Sequence, residues 1–294
     1  MKPAPFTYTR PRTVEEALAA LARGGEEGRV LAGGQSLVPM MNFRLARPEH
    51  LVDISRVADL DFMRTEGDWL VIGAATRQVT LEQSVEALAA APLLVEAVTL
   101  VGHAPIRHRG TVCGSIAHAE PAAELPAAAL ALGAVVVLEG REGSREIALE
   151  DFLIGPYETA IRTGELVREL RVRCWPPTHG SAFVEYSRRY GDFAIAGAAV
   201  ALDLGREGTV DRGAIALCGV APTAVRANAA EAALLGKDPH ASTVVDNVAS
   251  LAVTGLHPSP DVHGSSEYRV RVARTCAERA LEKALRRASE GRVR

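Results

Sequence analysis

The sequence predicts an α+β protein in two parts, and three observations carry that prediction. The chain has 294 residues, 48% of them hydrophobic, which is more than one compact core usually holds. Up to residue 174, short strand-like and helix-like segments interleave without regular βαβ repetition. A proline-rich link, Trp175-Pro176-Pro177-Thr178, then opens onto long strand-like segments and three helical stretches. That second pattern suits an antiparallel sheet under a helical layer.

Taken in order, Thr13 and Glu16 form a T-x-x-E capping box that opens an Ala/Leu helix. A short strand at 29–31 enters Gly33-Gly34, a helix-like stretch follows at 36–45, and 50–55 reads as another strand. Segments 60–64 and 69–74 read as a hairpin around Glu66-Gly67-Asp68. Thr80 and Gln83 are expected to cap a second helix, and Pro92 to start a third. A glycine-containing strand is expected after Gly110, then an Ala-rich helix at about 121–132 and a strand at 134–140. Beyond the link, strands are expected at 180–189, 193–204 and 214–220, and helices near 228–235, 242–254 and 266–288.

Charge and composition exclude several classes. The formal net charge of −3 gives no broad field for nucleic acid or an anionic membrane. The basic clusters Arg107-His108-Arg109 and Arg286-Arg287 are short and read as solvated surface. Cys113, Cys174, Cys218 and Cys276 are scattered and form no C-x-x-C pair, so zinc or iron–sulfur ligation by this chain is not expected. A disulfide framework is not expected either. The N-terminal residues lack a signal-peptide apolar core, and the most apolar stretch, 125–138, is too short to span a bilayer. The cytoplasm is the expected location. No G-x-G-x-x-G follows a strand, Gly236-Lys237-Asp238 lacks the upstream glycine of a P-loop, and neither H-E-x-x-H nor G-x-S-x-G occurs.

Two glycine loops remain. In Leu31-Ala32-Gly33-Gly34-Gln35-Ser36-Leu37 a strand enters a glycine turn and a helix leaves it. Backbone without Cβ approaches a ligand closely, its amides converge on an anion, and the helix start adds partial positive charge. Alone, the pattern is more often a plain tight turn. The second loop, residues 109–121, contains Thr111-Val112-Cys113-Gly114-Ser115 and offers amides, two hydroxyls and a carboxylate before a helix. A long dinucleotide needs contacts at distant points, so two such loops weigh more together than singly.

The segments AGGQSLVPMMNFRLARPEHLVDIS and IRHRGTVCGSIAHAEPAAELPA, with SRRYGDFAIAGAAVAL and PDVHGSSEYRVRVA in the back half, resemble the FAD-binding medium subunits of molybdenum hydroxylases. These are the carbon monoxide dehydrogenase and xanthine dehydrogenase relatives. The resemblance implies a two-part, PCMH-type FAD-binding domain like that of vanillyl-alcohol oxidase over 1–176, with subdomains of about 1–55 and 56–176. A smaller α+β domain over 177–294 follows. It implies that Ala32, Gly33, Gly34, Gln35, Ser36 and Leu37 wrap the FAD pyrophosphate. Thr111, Val112, Cys113, Gly114 and Ser115 would form the second wall, Glu124 an acidic group near the cofactor, and Tyr190 a cover for one face of the flavin. It implies electron transfer from [2Fe–2S] clusters on a small subunit, fed by a molybdopterin large subunit, in a dimer of heterotrimers.

The sequence departs from that family in places. Cys113 stands where a second glycine is commoner, and Tyr268-Arg269-Val270 replaces Y-R-R. A small buried thiol is the plainer reading of Cys113. Plainer readings also exist for Tyr190 as a strand-end cap, His118 as a satisfied polar residue, Glu124 as a helix-surface carboxylate and Asp192 as a turn residue. Two other functions remain open at this point: a self-sufficient FAD oxidase, and a scaffold of the same fold that does no catalysis.

Overall fold

The computed structural model describes residues 2–238 and 243–291. Thr13 caps the helix Val14–Gly24: the Glu16 N–H donates to its hydroxyl at 3.2 Å, and the Glu16 carboxylate accepts from the Arg12 N–H at 2.8 Å. This helix and a second, Leu37–Asn42, connect the strands Thr7–Thr9, Gly28–Leu31 and His50–Asp53. The three strands pair in parallel, with His50–Asp53 in the middle. This β-α-β-α-β unit is invisible to hydrophobic periodicity. The outer strands have three and four residues, and none of their side chains is fully buried. The helix expected at 36–45 stops at Asn42, and Arg44 takes a positive φ of 59° that turns the chain.

The second sheet is antiparallel, in the order Met63–Glu66, Trp69–Gly73, Leu166–Arg173, Val135–Gly140, Gly143–Ala148. The expected hairpin around Gly67 forms its edge. Thr80 and Gln83 do not cap a helix; they lie inside Gln78–Gln83. Ser84 makes the cap instead, accepting from the Ala87 N–H at 3.0 Å and starting Val85–Ala90. Pro92 does begin the helix Pro92–Val98. The strand expected after Gly110 is a helix, Val112–His118. The Thr111 hydroxyl accepts from the Gly114 N–H at 3.0 Å and turns the chain before its β-branched residues can extend. The Ala-rich helix occupies Glu124–Ala131, and every one of its residues is buried.

The third sheet is antiparallel, in the order Gly180–Tyr186, Ala196–Leu204, Val210–Cys218, Val225–Arg226. Helices Asn228–Leu234, Val244–Ala252 and Ser266–Gly291 follow. Ser242, the expected start of the middle one, lies outside the described residues. The long last helix buries Ala273, Cys276, Ala277, Ala280, Leu281, Ala284, Leu285 and Ala288, an i, i+3, i+4 stripe of mostly small residues that lies on the sheet. Among the described residues no helix is long and apolar enough to cross a membrane.

The alanine-rich strand Ala196–Leu204 joins two cores. Ala199 and Ala201 face one core, with Phe183, Ala214, Ala216 and Cys218, together with the helices and sheet of residues 1–175. Ala196, Ala198, Val200 and Leu202 face the other, under the C-terminal helix. The strand period of two sorts one small-residue run into both.

Glu96, on the helix Pro92–Val98, clasps the C-terminal helix through Lys283 and Arg287, the latter at 2.6 Å. Burial alone would raise the Glu96 carboxyl; hydrogen bonds from Arg287 and Lys283 outweigh it and hold the group below its ordinary value. A carboxylate of lowered folded pKa contributes stability above its unfolded pKa and loses it as the pH falls through the folded one. Glu96→Gln is therefore expected to cost about 1 kcal/mol in urea unfolding at neutral pH. The difference from wild type should vanish once acid protonates the native carboxylate. A constant difference across that range would show that the clasp contributes nothing as an ion pair.

Candidate functional site

The first glycine loop is built by close backbone approach. A Cβ on Gly33 would lie 2.4 Å from the Arg109 carbonyl oxygen and 2.7 Å from Gly110 Cα, so the first loop rests directly on the second. Gly34 has φ +74°, a left-handed conformation that suits glycine. Its carbonyl accepts from the Val38 N–H at 3.1 Å and Ser36 O accepts from the Met40 N–H at 3.2 Å, starting the short helix. No hydrogen bond within the described residues engages the N–H groups of Gly33, Gly34, Gln35 and Ser36. Four successive donors without acceptors fit the chemistry of a bound anion such as a pyrophosphate. With only six residues in Leu37–Asn42, the helix adds less to this than the run of amides does.

The second loop is used differently from the expectation. The Gly110, Val112, Gly114 and Ser115 N–H groups donate to Ile106 O, Thr76 O, Thr111 Oγ1 and Thr111 O. The Thr111 hydroxyl is therefore taken by the cap. Val112 and Cys113 point into the core, and Cys113 is 2% exposed. The Cys113 thiol donates toward Ile72 O at 3.4 Å, and burial pushes it up to about 12. What remains available is the bare backbone of Gly114 and the half-buried Ser115 hydroxyl.

Segment 99–110 is fixed by Arg107. It is buried, not the solvated surface residue expected of the Arg107-His108-Arg109 cluster. It pairs with both Glu82 oxygens, at 2.7 and 2.9 Å, and donates to the Val101 and Gly102 carbonyls. Arg77 donates to the Arg109 carbonyl. At the other end of the segment stands Tyr190, in the turn beyond strand Gly180–Tyr186 and not at the strand end. It is 66% exposed, its ring 5.5 Å from His103 between centroids. Asp192 lies in the same turn, its N–H donating to Arg189 O at 3.1 Å.

Between the two parts of the chain lies a cavity of about 790 Å³. One wall is Glu120, Pro121 and Tyr157; the other includes Asp192, Phe193 and Arg269. Ala119 and Tyr157 both hold positive φ here, at 50° and 61°, and such strain clusters at functional sites. A hydrogen bond to Glu120 raises the Tyr157 hydroxyl to about 12. His118 packs on Tyr157 with centroids 5.2 Å apart, and burial lowers its pKa. Sequence reasoning named Arg269 only as part of Tyr268-Arg269-Val270 and gave it no role; it is buried, paired with Asp261 at 2.6 Å and donating to Ile195 O. Sequence reasoning missed Glu185, and it left open a helix-surface reading for Glu124. Glu124 is 6% exposed, and burial raises its pKa to about 7.

The fold and this site define a flavin-binding chain, and comparison with known proteins gives the family. Residues 4–174 match the FAD binding domain in molybdopterin dehydrogenase, and residues 181–284 match the CO dehydrogenase flavoprotein C-terminal domain. The chain belongs to the FAD-binding medium subunits of molybdenum hydroxylases. It is 44% identical to the 6-hydroxypseudooxynicotine dehydrogenase complex subunit alpha of Paenarthrobacter nicotinovorans, covering 98% of this chain and 97% of that one. It is 39% identical to the carbon monoxide dehydrogenase medium chain of Hydrogenophaga pseudoflava, over 97% and 98%. The solved carbon monoxide dehydrogenase from Hydrogenophaga pseudoflava superposes with a TM-score of 0.94 at 41% identity, covering 98% of this chain and 99% of the other. Quinoline 2-oxidoreductase from Pseudomonas putida 86 gives 0.92 at 33%, over 98% and 99%. FAD is the cofactor of this family, and its members are subunits of larger oxidoreductases.

The burial of the thiols sets their reactivity, because only thiolate attacks. Cys113, Cys218 and Cys276 are buried, and Cys174 is half-buried. Iodoacetamide on the native chain should label Cys174 first, and the other three only after unfolding, as read by mass spectrometry. Early labelling of Cys113 would contradict its place in the core.

Proposed function

We propose that Gly33, Gly34, Gln35 and Ser36 hold the FAD pyrophosphate through their main-chain N–H groups. The observation that carries this is the run of four donors without acceptors, set on the backbone of the second loop. Ala32 and Leu37 flank that run. Gly114 and Ser115 form the second wall, while Thr111, Val112 and Cys113 shape it as cap and core. The flavin end points to the cavity between the two parts, whose lining includes Tyr157, Asp192 and Phe193; Glu124 and Tyr190 lie outside that lining, and their place near the flavin follows from the family resemblance. FAD, when bound, accepts and releases electrons singly or in pairs; the protein supplies position and electrostatics.

In this reading the electrons arrive from [2Fe–2S] clusters on a small subunit, a molybdopterin large subunit oxidises the substrate, and an external acceptor takes the electrons. The assembly is a dimer of heterotrimers in the cytoplasm. Two things support these partners: near-full-length similarity to medium chains, and three of the four cysteines lying buried and apart from cluster-type spacing.

Gly34→Val is the sharpest test of the loop, because valine does not adopt φ +74° without strain. FAD affinity should fall by at least about tenfold, or roughly 1.4 kcal/mol, with far-UV circular dichroism unchanged. Gly33→Val should lose stability as well, since its side chain meets the Arg109 carbonyl. Wild-type flavin content in Gly34→Val would remove this loop from the site. The partners are tested by metal analysis. Iron and molybdenum should co-purify with the tagged chain from its native host and be missing when the chain is produced alone. Stoichiometric iron in the lone chain would overturn the assignment of the clusters to a partner.

A further inference from the structure

The hairpin that faces the cavity breaks a local rule. Its strands, Leu153–Gly155 and Glu158–Thr159, pair so that Gly155 lies opposite Glu158. Pro156 and Tyr157 are then the two residues of the turn. Proline suits the first place. The second takes φ +61°, and a turn with proline followed by positive φ ordinarily has glycine or asparagine there. Tyrosine occupies it instead, at a cost in backbone strain. The facing residue does the same. Ala119 ends the helix Val112–His118 with φ +50°, another place where glycine is usual. The two strained residues are joined, the Tyr157 N–H donating to Ala119 O at 3.1 Å.

This strain secures little burial. Tyr157 is 55% exposed, and it lines the cavity together with Pro156, Glu120 and Pro121. Its ring leans on His118, with centroids 5.2 Å apart and planes at 46°. Its hydroxyl is taken by Glu120, which also accepts from the Ala122 N–H at 3.3 Å. The phenol, pushed up to about 12 by that bond, stays uncharged through the neutral range. Hydroxyl and ring are thus held from one side, while more than half of the residue faces open space. The helix that ends at His118 begins at Thr111, in the second glycine loop. Its seven residues span about 10 Å. One short, rigid element therefore carries the proposed second wall at its start and the support of Tyr157 at its end.

We propose that Tyr157 is a flavin-contacting residue: the turn holds its ring out into the cavity to pack on the isoalloxazine, and His118 and Glu120 fix its orientation. The proposal rests on the reading that the flavin end of FAD lies in this cavity. Glycine would close the hairpin without strain, so closure alone gives no reason for a large aromatic at this place. A planar aromatic ligand gives one, because ring contacts add to what burial supplies. Phe193, 69% exposed, brings apolar surface from the opposite wall.

The test uses the full-length chain loaded with FAD, in a Tyr190→Phe background so that Tyr190 does not mask the signal. A phenol beside an excited flavin quenches its emission by electron donation; a phenyl ring does not. Tyr157→Phe should therefore brighten the flavin and lengthen its fluorescence lifetime, with FAD affinity kept within about twofold. Tyr157→Gly should lower affinity about two- to tenfold, with the far-UV circular dichroism of the parent, because φ +61° suits glycine. Unchanged emission in Tyr157→Phe would overturn the proposal whatever Tyr157→Gly does, and so would parental affinity in a folded Tyr157→Gly chain. The cavity reading is checked separately. Phe193→Trp, added to the Tyr157→Phe chain, should dim the flavin from the other wall. No dimming there would remove the flavin from the cavity; dimming there with no effect at Tyr157 would sink this proposal alone.

Discussion

Backbone rests on backbone where Gly33 meets Arg109 and Gly110, and the geometry of the site depends on that contact. With no side chain between them, the two loops have a fixed spacing of atomic size. The carbonyl on which Gly33 rests is itself held by Arg77, and the segment leading to it is locked by the Arg107–Glu82 pair. The same segment carries His103, against which Tyr190 leans from the third sheet. Residues 99–110 thus act as a rigid spacer between a turn of the first sheet and a turn of the third. A dinucleotide is long, and a protein that binds it at both ends must fix that separation. If the dinucleotide spans both turns, covalent chain and two arginines set that separation.

Several arginines around the site are tied to main chain. Arg77, Arg107, Arg226 and Arg269 each donate to main-chain carbonyls, and the last three also pair with a carboxylate. The first glycine loop, residues 32–37, contains no basic residue. An anion held there would be held by amide dipoles.

Much of the fold was legible because its signals are local. The Thr13 cap, the Gly67 hairpin, Pro92 at a helix start and the apolar strand 135–140 each depend on residues within a few positions of one another. The failures have two causes. Thr7–Thr9 is a strand only because His50–Asp53 lies beside it, and the run after Gly110 is a helix because Thr111 caps it against its own β propensity. At the site, both glycine loops could be found from sequence, and their mutual contact could not. Arg107 was hidden in a basic trio whose other two members are exposed. Glu185 did leave a trace: a lone acid in GSAFVEY, in phase with buried Ser181 and Phe183, and the structure holds it half-buried.

Strand Ala196–Leu204 has a consequence for how the chain comes to be folded. Both of its faces are interior, and the core of the first 175 residues includes Phe183, Ala199, Ala201, Ala214 and Ala216 from beyond the proline-rich link. During synthesis, the amino-terminal part therefore leaves the ribosome with one apolar wall still missing. At about 5–20 residues per second, the strands that close it emerge several seconds later. Over that interval the nascent chain presents an open hydrophobic seat, the kind of surface that chaperones cover. Flavin loading before the third sheet docks would take place on a half-built wall, so completion of the chain sets the earliest moment at which the cofactor can be held at both ends.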